Sequence, residues 1–156
     1  MFRRPLIWFV LLTLSVAGLM AQGQSTTATR DDWEEINFET NSAVLTDGYP
    51  SLLRLAELLT KNPGYKVRVE GHTDGLGSKR ANEKLGMQRA QAVKSFLEKY
   101  GSRPDQVSAT TQGMGQPKVG NDTKEGRWMN RRTMLYVADA QGKPVSAGGV
   151  GDAIRN

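Results

Sequence analysis

The run Tyr65-Lys66-Val67-Arg68-Val69-Glu70-Gly71-His72-Thr73-Asp74 changes character part-way along. Tyr65, Val67 and Val69 alternate with Lys66, Arg68 and Glu70, the period-two pattern of a strand with one buried face. From Gly71 to Gly77 the chain turns polar and glycine-rich, so a loop is expected at the carboxyl end of that strand. Upstream, Tyr49 to Thr60 carries Leu52, Leu53, Ala56 and Leu59 at helical spacing. Pro50 suits the first turn, and Asn62-Pro63-Gly64 stops the helix. Downstream, helical character resumes near Ser78 and is interrupted by Gly86. Glycine inside a helix costs about 1 kcal/mol against alanine, so the pattern predicts a short helix, a bend near Gly86 and a longer helix. The longer one places Ala90, Val93, Phe96, Leu97 and Tyr100 on one face, with Gly101 as its C-terminal cap.

Three further strands complete the pattern. Trp33 to Phe38 alternates weakly, Val107 to Gly113 follows the helix pair, and Thr133 to Ala138 sets Leu135 and Val137 opposite Met134 and Tyr136. Strand–helix–strand units favour parallel pairing through right-handed crossovers. The final strand follows a loop and can enter antiparallel. The expected fold is an α/β (α+β) sandwich, βαβαβ-β, with helices on one face of a small mixed sheet.

Composition bounds what such a domain can do. The chain has 156 residues, 38% apolar and 24% charged, enough for one packed domain with flanking segments. The folded unit is expected at 32–139, between a polar linker at 22–31 and a flexible glycine-rich tail at 140–156. The formal charge is +5, but without Arg3 and Arg4 only 19 basic residues face 16 acidic ones, so the basic balance selects no partner class. Cysteine is absent, which excludes disulfides and thiolate metal sites. A lipid-tethered cysteine is not expected either.

Arg3 and Arg4 precede an uncharged apolar run from Pro5, closed by the small residues Ala17, Gly18 and Ala21. That layout reads as a secretory signal over 1–21, cleaved after Ala21. The same run is near the lower length limit of a bilayer span, so an uncleaved membrane anchor stays open.

Four short signals remain: Glu70-Gly71-His72-Thr73-Asp74; Asn82 with Leu85-Gly86 and Arg89-Ala90; Gly113-Met114-Gly115-Gln116-Pro117; and Gly126-Arg127 with Asn130-Arg131-Arg132. In order and spacing they resemble the C-terminal domain of OmpA, of the peptidoglycan-associated lipoproteins and of the motor protein MotB. The resemblance runs from about Ile36 to Val137. It implies a non-catalytic domain that binds the stem peptide of peptidoglycan through meso-diaminopimelate, in the periplasm or outer-membrane-associated envelope of a Gram-negative-type bacterium.

Diaminopimelate presents a carboxylate and an ammonium on one carbon. By the resemblance, Asp74 accepts from the ammonium and Arg89 grips the carboxylate with its planar fork. With Arg89 in the first turn of the longer helix, the helix N-terminus would add positive potential. Alanine at either position is then expected to abolish binding and leave the fold intact. Asn82 is placed near the ligand, Thr40 and Asn41 on a loop that walls the pocket, and Arg131 and Arg132 beside it. Each residue also has a bland reading. Asp74 can bond loop N–H groups, Arg89 can be a surface arginine, Asn82 can cap a helix, and the Arg131–Arg132 cluster can brace a strand.

Other functions fit less well. A wall hydrolase needs a metal set, an activated nucleophile or paired carboxylates. One histidine, no cysteine and no Gly-x-Ser-x-Gly elbow leave little to build them from. No cofactor or metal is expected, and an exported protein does not meet nucleic acid. The alternative is an interaction subunit, anchored by an uncleaved first segment and coupling a complex of envelope proteins to the wall.

Overall fold

The computed structural model describes residues 35–146. The signal, the linker and the last ten residues of the tail fall outside that range. The elements are β1 (Glu35–Asn37), α1 (Tyr49–Lys61), β2 (Lys66–His72), α2 (Lys79–Lys99), β3 (Val107–Gly113), α3 (Lys124–Asn130), β4 (Arg132–Ala138) and β5 (Pro144–Val145). A short 3-10 turn, Pro104–Gln106, leads into β3.

The sheet runs β1-β4-β2-β3. β2 and β3 are parallel, joined by α2, whereas β4 is antiparallel to both of its neighbours β1 and β2. The last long strand thus enters antiparallel, as expected, and in the middle of the sheet. β5 pairs with β4 through Val137 and Ala138, inside the stretch expected to be tail. It extends the edge that β1 covers only at Arg132–Met134.

Ile36, Val67, Val69, Leu135 and Val137 project from one face and are buried with Leu52, Leu55, Leu58 and Leu59 of α1 and Ala90, Val93 and Leu97 of α2. The α1 stripe is rotated slightly from the expected one, so Leu53 lies 43% exposed while Leu55 and Leu58 are buried. On the opposite face Arg68 stacks over Tyr136, 4.1 Å from the ring centroid.

The helix pair expected around Gly86 is instead one uninterrupted helix, Lys79–Lys99, capped by the Ser78 side chain on Ala81 N–H. The helix continues unbroken through Gly86. A Cβ at Gly86 would lie 2.3 Å from Thr111 Oγ1, and one at Gly71 would lie 1.8 Å from the Gly86 carbonyl oxygen. The two glycines bring α2 against β2 and β3, and this close packing offsets the helix-propensity cost. Arg89 therefore sits mid-helix on the buried side, and no helix N-terminus supports it.

Candidate functional site

Asp74 follows β2 and is 6% exposed. Its Oδ1 accepts Leu76 N–H at 3.1 Å, and its Oδ2 lies 3.3 Å from Arg131 Nη1 in a nearly buried ion pair. Arg131 also donates Nε–H to the Phe38 carbonyl at 3.0 Å. The strand end, the residue before β4 and the loop after β1 thereby meet at one charge pair.

Arg89 lies on the other side of this junction, with no exposed surface. Its Nε donates to Ser42 O at 2.8 Å, Nη1 to His72 O at 2.8 Å and Nη2 to Glu39 O at 3.0 Å. Burial pushes its pKa down to about 10, with Asp74 pulling it up and Arg131 pushing it further down. Arg89 donates here to backbone carbonyls, so a ligand carboxylate would have to share the fork or displace one of them. The fork serves three backbone carbonyls, of which the His72 one is buried and would be costly to leave unpaired. They fix the turn at Glu39–Ser42, where Ser42 N–H closes onto Glu39 O at 3.2 Å and Asn41 takes φ 52°. Thr40 and Asn41 are exposed at the tip of that turn.

Asn82 is buried on α2 and donates Nδ2–H to Leu76 O at 2.8 Å and Ser78 O at 3.2 Å. It holds the loop after Asp74 and does not cap the helix. Arg132 begins β4 one residue after Arg131, and its hydrogen bonds run to other partners than Asp74. Its Nη atoms make long contacts of 3.5 Å to Asn130 O and Gln116 O. It faces His72, which is 2% exposed. Burial and Arg132 hold the His72 pKa below its ordinary value, against the pull of Glu70. Glu70 Oε1 lies 3.2 Å from His72 Nε2, in poor alignment for a hydrogen bond. Among the described residues no group of three His, Asp or Glu could hold a metal ion.

Asp74, Arg89, Arg131, Asn82 and the Thr40–Asn41 turn are thus assembled in one place, and Arg132 is not. Asn121 was missed by sequence reasoning. It accepts Gly75 N–H on Oδ1 at 2.9 Å, but it lies in a polar loop with no periodicity or motif to mark it.

Residues 37–131 match the OmpA family. The chain belongs to the OmpA family. Among OmpA-family relatives, the outer membrane protein Omp38 of Acinetobacter baumannii is 37% identical over 113 residues, covering 71% of this chain and 32% of Omp38. The chain thus spans about a third of the length of that relative. The peptidoglycan-associated lipoprotein of Agrobacterium fabrum is 30% identical over 129 residues, covering 79% of this chain and 73% of the lipoprotein. The crystal structure of the peptidoglycan-associated lipoprotein from Burkholderia pseudomallei superposes with a TM-score of 0.65 at 28% identity, covering 67% of this chain and 89% of that one. The resemblance first seen in four short motifs therefore holds for sequence and fold alike.

Proposed function

We propose that this OmpA-family domain binds peptidoglycan, without catalysis, on the periplasmic side of a Gram-negative-type envelope, and so anchors to the cell wall. The finer proposal is that it takes the meso-diaminopimelate residue of the stem peptide. The observation that carries it is the Asp74 carboxylate, nearly buried at a strand end, paired with the Arg131 guanidinium at 3.3 Å and within electrostatic reach of Arg89. An anion beside cations at one strand end complements a carbon that bears both an ammonium and a carboxylate. Asp74 accepts from the ammonium. Arg131, whose side chain keeps 10% exposure, meets the carboxylate. Arg89 adds positive potential from behind and holds the Thr40–Asn41 rim, while Asn82 fixes the loop that carries Asp74. Membership of the family and the likeness to peptidoglycan-associated lipoproteins support the same reading.

The test is co-sedimentation of the full chain with purified sacculi at about 0.15 M salt, where charges beyond about 8 Å are screened. The expected result is binding to sacculi with diaminopimelate and weaker binding to sacculi with lysine, which lacks the second carboxylate. Sacculus turbidity should stay constant. Asp74→Asn keeps an acceptor for Leu76 N–H but removes the charge. Loss of one partner of a desolvated charge pair costs about 2–5 kcal/mol, so binding should fall at least tenfold. A folded wild type that stays in the supernatant refutes the proposal, and equal binding to both sacculi refutes the diaminopimelate assignment.

A further inference from the structure

Asp74 is followed by a glycine, and an aspartate before a glycine tends to capture the next N–H groups with its own carboxylate. The chain contains its own example. At Asp47–Gly48, Gly48 N–H donates to Asp47 Oδ1 at 2.7 Å. At Asp74–Gly75 the carboxylate takes the Leu76 N–H at 3.1 Å but not the Gly75 N–H, which donates to Asn121 Oδ1 at 2.9 Å.

The orientation of the Asn121 amide follows from its neighbours. Asn130 is fully buried, and its Oδ1 accepts two backbone donors, Lys118 N–H at 2.7 Å and Val119 N–H at 3.2 Å. Its Nδ2 must therefore be the donor, to Val119 O at 2.8 Å and Asn121 Oδ1 at 3.0 Å. That contact fixes Oδ1 as the Asn121 atom turned toward Gly75. Arg127 Nη1 secures the Asn121 backbone carbonyl at 2.8 Å. Gly126 lets α3 close on the same loop, since a Cβ there would lie 2.2 Å from Gly120 O.

We propose that Asn121 is a positioning residue for the peptidoglycan site: by accepting Gly75 N–H it keeps a further donor off an Asp74 carboxylate that already meets Leu76 N–H and Arg131, and so leaves its remaining lone-pair capacity for a ligand ammonium. This rests on the binding reading above. Each further N–H aimed at a carboxylate stabilises the anion and weakens its hold on an added cation. Asn121 touches no ligand in this account and acts only through Gly75.

The experiment uses the full chain as wild type, Asn121→Asp and Asn121→Leu, read by sedimentation with diaminopimelate sacculi and by NMR amide exchange at Gly75 without ligand. Aspartate keeps an oxygen for both Gly75 N–H and Asn130 Nδ2–H, whereas leucine keeps neither. The expected result is binding about tenfold weaker for Asn121→Leu, the scale of one hydrogen bond, with faster exchange at Gly75. Asn121→Asp should stay within about threefold of wild type on the same scale. Wild-type binding by Asn121→Leu, or an Asn121→Asp loss equal to that of Asn121→Leu, overturns the proposal. Should Asn121→Leu fail to fold, Gly75→Ala makes the same test, because the added Cβ would lie 3.0 Å from Asn121 Nδ2 and push the amide away. Wild-type binding by Gly75→Ala then overturns it. A wild type that does not sediment refutes the binding reading itself, a different outcome from wild type and Asn121→Leu binding alike.

Discussion

Arg89→Met separates the role of this arginine in the fold from its role toward a ligand. Methionine matches the length of the stem and removes the three hydrogen bonds to Glu39, Ser42 and His72 carbonyls. Hydrogen bonds from a charged donor contribute about 1.5–3 kcal/mol each when taken singly. These three share one guanidinium whose burial is itself costly, and Glu39 O keeps Ser42 N–H as a second donor, so they do not add. The expected net loss is about 3–4 kcal/mol. In a domain of this size that lowers Tm by roughly 12–20 °C. Urea and thermal unfolding followed by circular dichroism measure it, with Arg89→Lys as a control that retains charge and part of the bonding and should recover part of the loss. Amide exchange at Ser42, whose N–H closes the rim turn, should accelerate in Arg89→Met. A loss under about 1 kcal/mol, the worth of one ordinary hydrogen bond, with Ser42 protection unchanged, would refute the reasoning. Arg89 would then be a ligand residue without structural duty.

Two further outcomes follow from the same framework. Gly71→Ala sets a Cβ 1.8 Å from the Gly86 carbonyl oxygen, which forces α2 off β2, and the expected cost is about 3 kcal/mol or more in urea unfolding; a loss below about 1 kcal/mol would show that the helix can retreat freely. His72 has a folded pKa held below the ordinary 6.5 by burial and by Arg132. The unfolded chain therefore takes up the proton first, and stability present above pH 6.5 is lost as pH falls toward the folded value. Between pH 7.5 and 5.5 wild type should lose up to about 1 kcal/mol that His72→Gln does not lose, and parallel pH profiles would sink this. Glu70 titrates lower and outside this window: burial alone would raise its pKa, but hydrogen bonds from Gln112 and Arg68 bring it below 4.5.

Local periodicity made β2 and α1 legible. Val67 and Val69 alternate inward, and α1 ends within one residue of the expected Thr60. Features that depend on contacts between distant segments were not legible. Glycine at 86 reads as a helix breaker until Gly71 is placed against it. α3 has no apolar stripe to announce it. It is held by the Thr123 side chain on Gly126 N–H at 2.9 Å and by the fit of Gly126 over Gly120. The insertion of β4 between β1 and β2 leaves no local trace, because each strand's own alternation is the same whichever neighbour it has.

The structure places Asp74, Arg89 and Arg131 near one another and adds a contact that the motifs did not announce. Asp74 and Arg89 flank one site, and it is Arg131 that pairs directly with Asp74. The Arg89 guanidinium already donates to the carbonyls of Glu39, Ser42 and His72, and bonds from a charged donor contribute about 1.5–3 kcal/mol each, so a ligand carboxylate would have to compete with them. The charges that a diaminopimelate group would meet are thus fixed in place before it arrives, and little ordering entropy remains to be lost on binding. Arg89 variants should weaken binding only in proportion to their damage to the rim. Asp74→Asn leaves the three carbonyl bonds of Arg89 untouched but removes the charge that faces Arg131, so it should weaken binding well beyond its own effect on stability, which is itself not negligible because one partner of a nearly buried pair is lost. The comparison of those two losses, in binding and in unfolding, distinguishes a preorganised pocket from one assembled by its ligand.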